Sequence, residues 1–148
     1  MSPNKAKKQG QLDLVAPEIQ ARWFAQVRKA HQNETTEDYV ELIADLIEHH
    51  QEARASELAA RLGVTNPTVT KMLTRLQNCG YIKSEPYRSI FLTQKGKELA
   101  KSCKRRHQIV LDFLIRLGVE PEIAEFDAEG IEHHISEATL KAMENFKS

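Results

Sequence analysis

Ala55-Ser-Glu-Leu-Ala-Ala-Arg-Leu-Gly-Val-Thr-Asn-Pro-Thr-Val-Thr-Lys-Met-Leu73 decides the fold. Residues 56–62 have the spacing of a short helix with Leu58, Ala59 and Leu62 turned inward. Gly63 suits the left-handed backbone that ends such a helix, and Gly63-Val64-Thr65 makes a tight turn. Thr65 or Asn66 then caps a second helix with Pro67 in its first turn, reaching about Asn78. Val69, Met72, Leu73 and Leu76 form its buried stripe. The small Ala59 lies where two helices must approach closely, so the unit reads as a helix-turn-helix. Its second helix presents Thr65, Asn66, Thr68, Thr70, Lys71 and Arg75 outward. Hydroxyls and amides suit base edges or phosphate oxygens, and the two cations suit phosphates. The plainer alternative is an ordinary helical hairpin.

Downstream, residues 81–83 and 89–92 read as two short strands around Pro86-Tyr87-Arg88. That hairpin makes a wing, with Tyr87 and Arg88 at its tip placed to meet backbone or minor groove. Thr93 can cap a long helix to about Leu117, stopped by Gly118, and a turn over 119–121 leads into a helix through about Ile135. Ser136 can cap a last helix over 137–146. Upstream, residues 1–13 read as a polar, Lys-rich mobile arm. Pro17 opens a helix carrying Ile19, Trp23, Phe24 and Val27, which residues 32–36 interrupt. Thr35 or Thr36 caps a separate helix with Tyr39, Leu42, Ile43, Leu46 and Ile47 on its apolar face. The fold expected is mainly α. It has an N-terminal arm and extra helix over 1–33, a winged helix-turn-helix over 34–93, and a linker helix with a helical domain over 94–148.

The chain has 148 residues and a formal net charge of zero, but the charge is partitioned. Residues 51–110 hold twelve Lys/Arg against four Asp/Glu, while residues 31–50 hold six acids and no Lys or Arg. A basic block flanked by acidic ones fits a DNA-facing segment with cation sites beside it. Uneven solvated helix faces are the bland alternative. No apolar run approaches the ~20 residues of a membrane span, and no secretory signal is visible, so a cytoplasmic protein is expected. Cys79 and Cys103 lack metal-type spacing and read as free thiols.

Asp38 and Glu41 stand three apart, so on a helix they share a face, as do Glu129, Glu132 and His133 at i, i+3 and i+4. His107 on the long helix offers a third element. Either cluster alone is a poor chelator; together they give four carboxylates and two imidazoles. That oxygen-rich set suits a hard or borderline ion such as Mn²⁺ or Fe²⁺ and lacks the thiolates favoured by Zn²⁺ or Cu⁺. Each residue also has a plain role. Asp38 suits a helix cap, Glu129 and Glu132 suit a solvated surface, and His107 suits a satisfied interface. His134 points about 100° away from His133 and reads as a supporting or surface residue. Cys103 and His107, at i and i+4, form a weaker soft-metal pair. No HExxH-type signature is present, and an enzyme is not expected.

Glu37-Asp-Tyr-Val-Glu-Leu-Ile43, the helix-turn-helix, Tyr87-Arg-Ser-Ile-Phe-Leu-Thr-Gln-Lys-Gly96 and Asp127-Ala-Glu-Gly-Ile-Glu-His-His-Ile-Ser136 resemble the manganese-responsive members of the DtxR family of metal-dependent repressors. The resemblance covers roughly residues 36–146. It implies a homodimer, with a winged helix joined by a long helix to a helical dimerisation domain. Position by position, it puts the family's metal ligands on Asp38, Glu41, His107, Glu129, Glu132 and His133. It allows two ions per subunit with bridging carboxylates. Iron-responsive relatives carry Met at the position of Asp38 and Cys at that of Glu129, so carboxylates there imply a preference for Mn²⁺. Many iron regulators continue into an SH3-like domain, for which this chain ends too early.

The resulting expectation is a manganese-responsive regulator. As a metal-loaded homodimer it binds palindromic double-stranded operator DNA and represses manganese-uptake genes. It has no membrane partner and no small-molecule substrate. The rival readings are a winged-helix regulator responding to iron or to a small organic effector, a metalloenzyme, and an adaptor dimer.

Overall fold

The computed structural model describes residues 13–85 and 88–147. The arm, up to residue 12, and Tyr87 at the wing tip lie outside the described residues. Among the described residues six helices and one short hairpin run in the order α1 (Pro17–His50), α2 (Ala55–Leu62), α3 (Asn66–Asn78), β1 (Ile82–Lys83), β2 (Phe91–Leu92), α4 (Gln94–Arg116), α5 (Pro121–Ile131) and α6 (Glu137–Asn145).

The largest departure from the expected pattern is α1, a 34-residue helix that passes straight through residues 32–36. Those residues are polar, but none is Pro or Gly. Polarity interrupts an apolar stripe without breaking a helix, because helix propensities among such residues differ only slightly. Neither Thr35 nor Thr36 caps a helix, and Asp38 and Glu41 sit in mid-helix. The two halves of α1 differ. Its later part buries Tyr39, Val40, Ile43 and Leu46, while Ile19, Trp23, Phe24 and Val27 earlier on remain exposed. The helix ends at Gln51, in the left-handed region at φ +62°.

The helix-turn-helix forms as read. Gly63 holds φ +67°, and the Val64 amide donates back to the Ala59 carbonyl at 3.1 Å. Thr65 caps α3 by accepting from the Thr68 amide at 3.3 Å. Leu58, Val69, Met72, Leu73 and Leu76 are buried with the later part of α1 in one core. In the wing, Ile82 pairs with Leu92 and Lys83 with Phe91 in antiparallel register. Ile90 makes a bridge to Ala53, its amide donating to the Ala53 carbonyl at 2.9 Å.

Thr93 joins the wing to α4, its hydroxyl accepting from the Gly96 amide at 3.1 Å and donating to the Gly80 carbonyl at 2.6 Å. Gly96 permits this approach, since a Cβ there would collide with the Tyr81 carbonyl oxygen. α4 then spans two cores. Its Ala100 belongs to the winged-helix core, whereas Ile109, Val110 and Leu111 pack with Ala124 and Ala128 of α5 and Leu140 of α6. Ser136 caps α6 by accepting from the Thr139 amide at 3.2 Å. Between the two cores lies the junction of α1, α4 and the end of α5.

Candidate metal centre and nucleic-acid interface

At that junction the polar side chains gather. α1 supplies Asp38 and Glu41, α4 supplies His107, α5 supplies Glu129, and Glu132 and His133 follow directly at its C-terminal end. His107 Nδ1 lies 3.3 Å from Glu132 Oε1 and 3.6 Å from Glu129 Oε1. His133 Nε2 lies 3.0 Å from Asp38 Oδ1 and 3.9 Å from Glu132 Oε1. Glu41 lines one open groove with Asp38 and Glu129. The structure therefore links five of the six residues singled out in the sequence through contacts of 3.9 Å or less, with Glu41 beside Asp38 and Glu129 on the groove.

Several of the plain roles do not survive this geometry. Asp38 caps nothing, because α1 begins far upstream. Glu132 is 1 % exposed, so solvation does not account for its charge, whereas Glu129 remains exposed. The Cys103 thiol is buried and pushed up to about 12 by that burial and by the Glu37 carboxylate. It stays protonated at neutral pH, and among the described residues it joins no cluster of potential ligands.

The electrostatics of the junction are unbalanced. Burial, then the Glu41 carboxylate, push the Glu132 carboxyl up to about 7. Burial, with Glu129 and Asp45 adding repulsion, also raises Glu41. Burial by itself would depress the His133 imidazole, but Asp38 and Glu37 outweigh it and lift the ring to about 10. His107 follows the same pattern, with burial overcome by Glu125, Glu129 and Glu132. A bound proton on His133 thus supplies part of the positive charge the carboxylates demand. Even so, Glu132 Oε2 and His133 Nε2 are buried without a directed hydrogen bond, the Asp38 oxygen lying near Nε2 but off its N–H line. Buried polar atoms are seldom left this way, because each lost partner costs about 1–3 kcal/mol. An oxygen-rich donor set with orphaned, carboxylate-crowded atoms fits a hard or borderline divalent cation.

Three partners escaped the sequence reading. Glu37 accepts from His133 Nδ1 at 2.6 Å and pairs with Arg106 at 2.8 Å. Those two partners overcome burial and hold its carboxyl below the ordinary value. Glu125 contacts His107 Nε2 at 2.8 Å. The second nitrogen of a metal-binding imidazole almost always has a carboxylate or carbonyl partner. Applied to His107 and His133, that rule points to acids one helical turn from Glu129 and Glu41, namely Glu125 and Glu37. Arg106 carries no such signal.

In the helix-turn-helix, the cap residue Thr65 is exposed, as are Asn66, Thr68, Thr70, Lys71 and Arg75 of α3. Its hydroxyls are locally engaged: Thr65 and Thr68 bond each other at 2.9 Å, and Thr70 donates to the Asn66 carbonyl at 3.0 Å. Lys71 and Arg75 make no ion pair among the described residues, and Arg88 meets only Glu85, at 3.0 Å, on the exposed wing. Such cations are free to meet phosphates.

Comparison with known proteins matches two family descriptions in succession. Residues 31–90 match "Iron dependent repressor, N-terminal DNA binding domain". Residues 93–147 match "Iron dependent repressor, metal binding and dimerisation domain". The chain is 55 % identical over 133 residues to the transcriptional regulator MntR of Escherichia coli O157:H7, covering 90 % of this chain and 86 % of that protein. It is 44 % identical over 100 residues to the HTH-type transcriptional regulator MntR of Bacillus subtilis, covering 68 % and 70 %. Among solved structures it resembles a manganese-dependent transcriptional repressor in complex with manganese, with TM-score 0.66 and 26 % identity. That match covers 72 % of this chain and 50 % of the other, so the chain spans about half the length of that solved structure. Among the described residues no helix is long and apolar enough to cross a membrane. The family is one of transcriptional repressors rather than enzymes. The chain belongs to the iron-dependent repressor (DtxR) family, with the MntR transcriptional regulators among its relatives.

Proposed function

We propose that this chain is a cytoplasmic, manganese-responsive repressor that binds palindromic operator DNA as a metal-loaded homodimer and silences manganese-uptake genes. The observation that carries the reading is the junction itself, where an unpartnered Glu132 oxygen and the His133 imidazole, 3.0 Å from Asp38, are buried among carboxylates. Asp38, Glu41, His107, Glu129, Glu132 and His133 hold the metal, with room in this donor set for two ions. The division of labour follows the chain: 34–93 reads DNA, 94–148 dimerises and binds metal, and 1–33 adds a helical extension.

A divalent cation bound there supplies the positive charge that the crowded carboxylates lack. Asp38 and Glu41 belong to the helix that backs the winged-helix core, whereas Glu129, Glu132 and His133 belong to the dimerisation unit. When these carboxylates repel, the two units are held loosely. When they are held together, α3 takes a set orientation relative to the dimer axis. Fixing that orientation in both subunits fixes the spacing between the two recognition helices, which a palindrome requires. Thr65, Asn66, Thr68 and Thr70 then face base edges or backbone, and Lys71, Arg75, Tyr87 and Arg88 face phosphates and the groove beside the wing. Carboxylates at Asp38 and Glu129 favour Mn²⁺ over softer ions. Nothing in the charged junction favours an organic effector.

The test selects binding sites from a random duplex library in Mn²⁺, then measures affinity for the recovered palindrome in Mn²⁺, Fe²⁺ and chelator. Affinity should rise by about 5- to 150-fold with Mn²⁺, the usual range for coupled sites. Affinity unchanged by chelator would refute metal control, and a larger gain with Fe²⁺ would move the assignment to iron.

A further inference from the structure

We propose that His31, Glu34 and His134 form a second metal site for a nitrogen-preferring divalent ion of the zinc class at the edge of the carboxylate-rich junction, where Glu34 also lies near Asp38 and His133. His31 and Glu34 stand three apart on α1 and share a face. His31 Nδ1 lies 3.4 Å from Glu34 Oε2, and His134 Nε2 lies 3.0 Å from the same oxygen. The two imidazoles meet edge to face with ring centroids 4.8 Å apart, and one ligand atom from each residue lies within 4.8 Å of the others. Tetrahedral zinc with bonds of about 2.0–2.1 Å places neighbouring ligand atoms roughly 3.4 Å apart. The side chains therefore already stand near chelating distance.

The donor chemistry differs from that of the junction. Two imidazoles and one carboxylate make the His₂Glu set used by zinc with water in the fourth position, and His31 is exposed enough to admit that water. Imidazole-rich sets suit Zn²⁺, Cu²⁺ or Ni²⁺ better than Mn²⁺. A comparable cluster, Asp45, Glu48 and His49, does not qualify. Lys104 Nζ already occupies it, 2.8 Å from Asp45 and 3.1 Å from Glu48. Among the described residues no Lys or Arg pairs with Glu34, whose partners are imidazoles only. An ion bound there ties the early part of α1 to the turn after α5, one residue from His133.

The experiment loads the full-length protein with excess Zn²⁺, removes free metal by gel filtration and counts zinc per subunit. The visible spectrum of the Co²⁺ form is recorded alongside. His31→Ala should lose one zinc per subunit relative to wild type, together with part of the Co²⁺ ligand-field absorption. His31→Ala with His134→Ala should lose no more than that, and His49→Ala should lose none. Zinc counts equal in wild type and His31→Ala would overturn the proposal, as would the same loss in His49→Ala. Manganese-dependent operator binding, measured in parallel, should persist in His31→Ala. The two readings therefore fail independently.

Discussion

The helix-turn-helix closes with apolar side chains from successive turns of the chain, whereas the junction behind it closes with charges drawn from three separate elements. In the first region Leu58, Val69 and Leu76 are fully buried around a turn that Gly63 and Thr65 set locally. In the second, Glu132 and His133 are buried, His133 between the Glu37 and Asp38 carboxylates and Glu132 with one oxygen left unpartnered. The DNA-reading unit is complete as it stands. The junction is held in part by a proton on His133 and, in the function proposed above, is completed by a cation. Stability and regulation are thereby assigned to different places.

Two substitutions, one in each region, should have the largest effects on stability. Arg106→Ala leaves the half-buried Glu37 carboxylate with His133 as its remaining partner, which should cost about 3 kcal/mol, the low end for breaking a buried pair. Chemical denaturation of the metal-free protein measures it, and a loss under 1 kcal/mol would show that the pair is dispensable. In the winged helix, Leu58→Ala should cost about 2–5 kcal/mol through the cavity it leaves. Because Leu58 belongs to the winged-helix core and makes none of the junction's polar contacts, metal uptake by the folded variant should be unchanged. Impaired uptake would show that the two regions are not separable.

A smaller effect is expected from pH. The folded values of Glu132 (about 7) and His133 (about 10) both lie above their ordinary ones. The folded state therefore holds more protons than the unfolded chain, and each contribution shrinks as pH rises, from 4.5 to about 7 for Glu132 and from 6.5 to about 10 for His133. The metal-free protein should lose Tm between pH 6 and pH 9, and His133→Gln should flatten the upper part of that fall. A Tm that rises over the range would contradict the assignment. The slightest change belongs to the DNA face. Lys71→Ala should leave stability intact and reduce the salt slope of operator binding by about one. An unchanged slope would remove Lys71 from the phosphate contacts.

The same contrast explains what could be read without coordinates. Gly63, Thr65, Thr93 and Ser136 end or cap their helices through neighbours three or four residues away, and all four stand where their local chemistry puts them. The continuity of α1 was hidden because residues 32–36 lack an apolar stripe while still favouring helix. Glu37, Arg106 and Glu125 were hidden because what places them is a long-range pairing between helices. The junction residues themselves were legible through i, i+3 and i+4 spacing and family resemblance, but their burial, their unpartnered atoms and their mutual repulsion exist only in three dimensions.

The most direct measurement of the central claim is the affinity for Mn²⁺ with and without operator DNA, followed by the electron paramagnetic resonance signal of free Mn²⁺. If the metal orients the reading heads, thermodynamic reciprocity requires DNA to tighten Mn²⁺ binding by the same factor by which Mn²⁺ tightens DNA binding. Equal factors are the expected result, with both lost in Glu132→Ala. Mn²⁺ affinity indifferent to operator DNA would contradict the account.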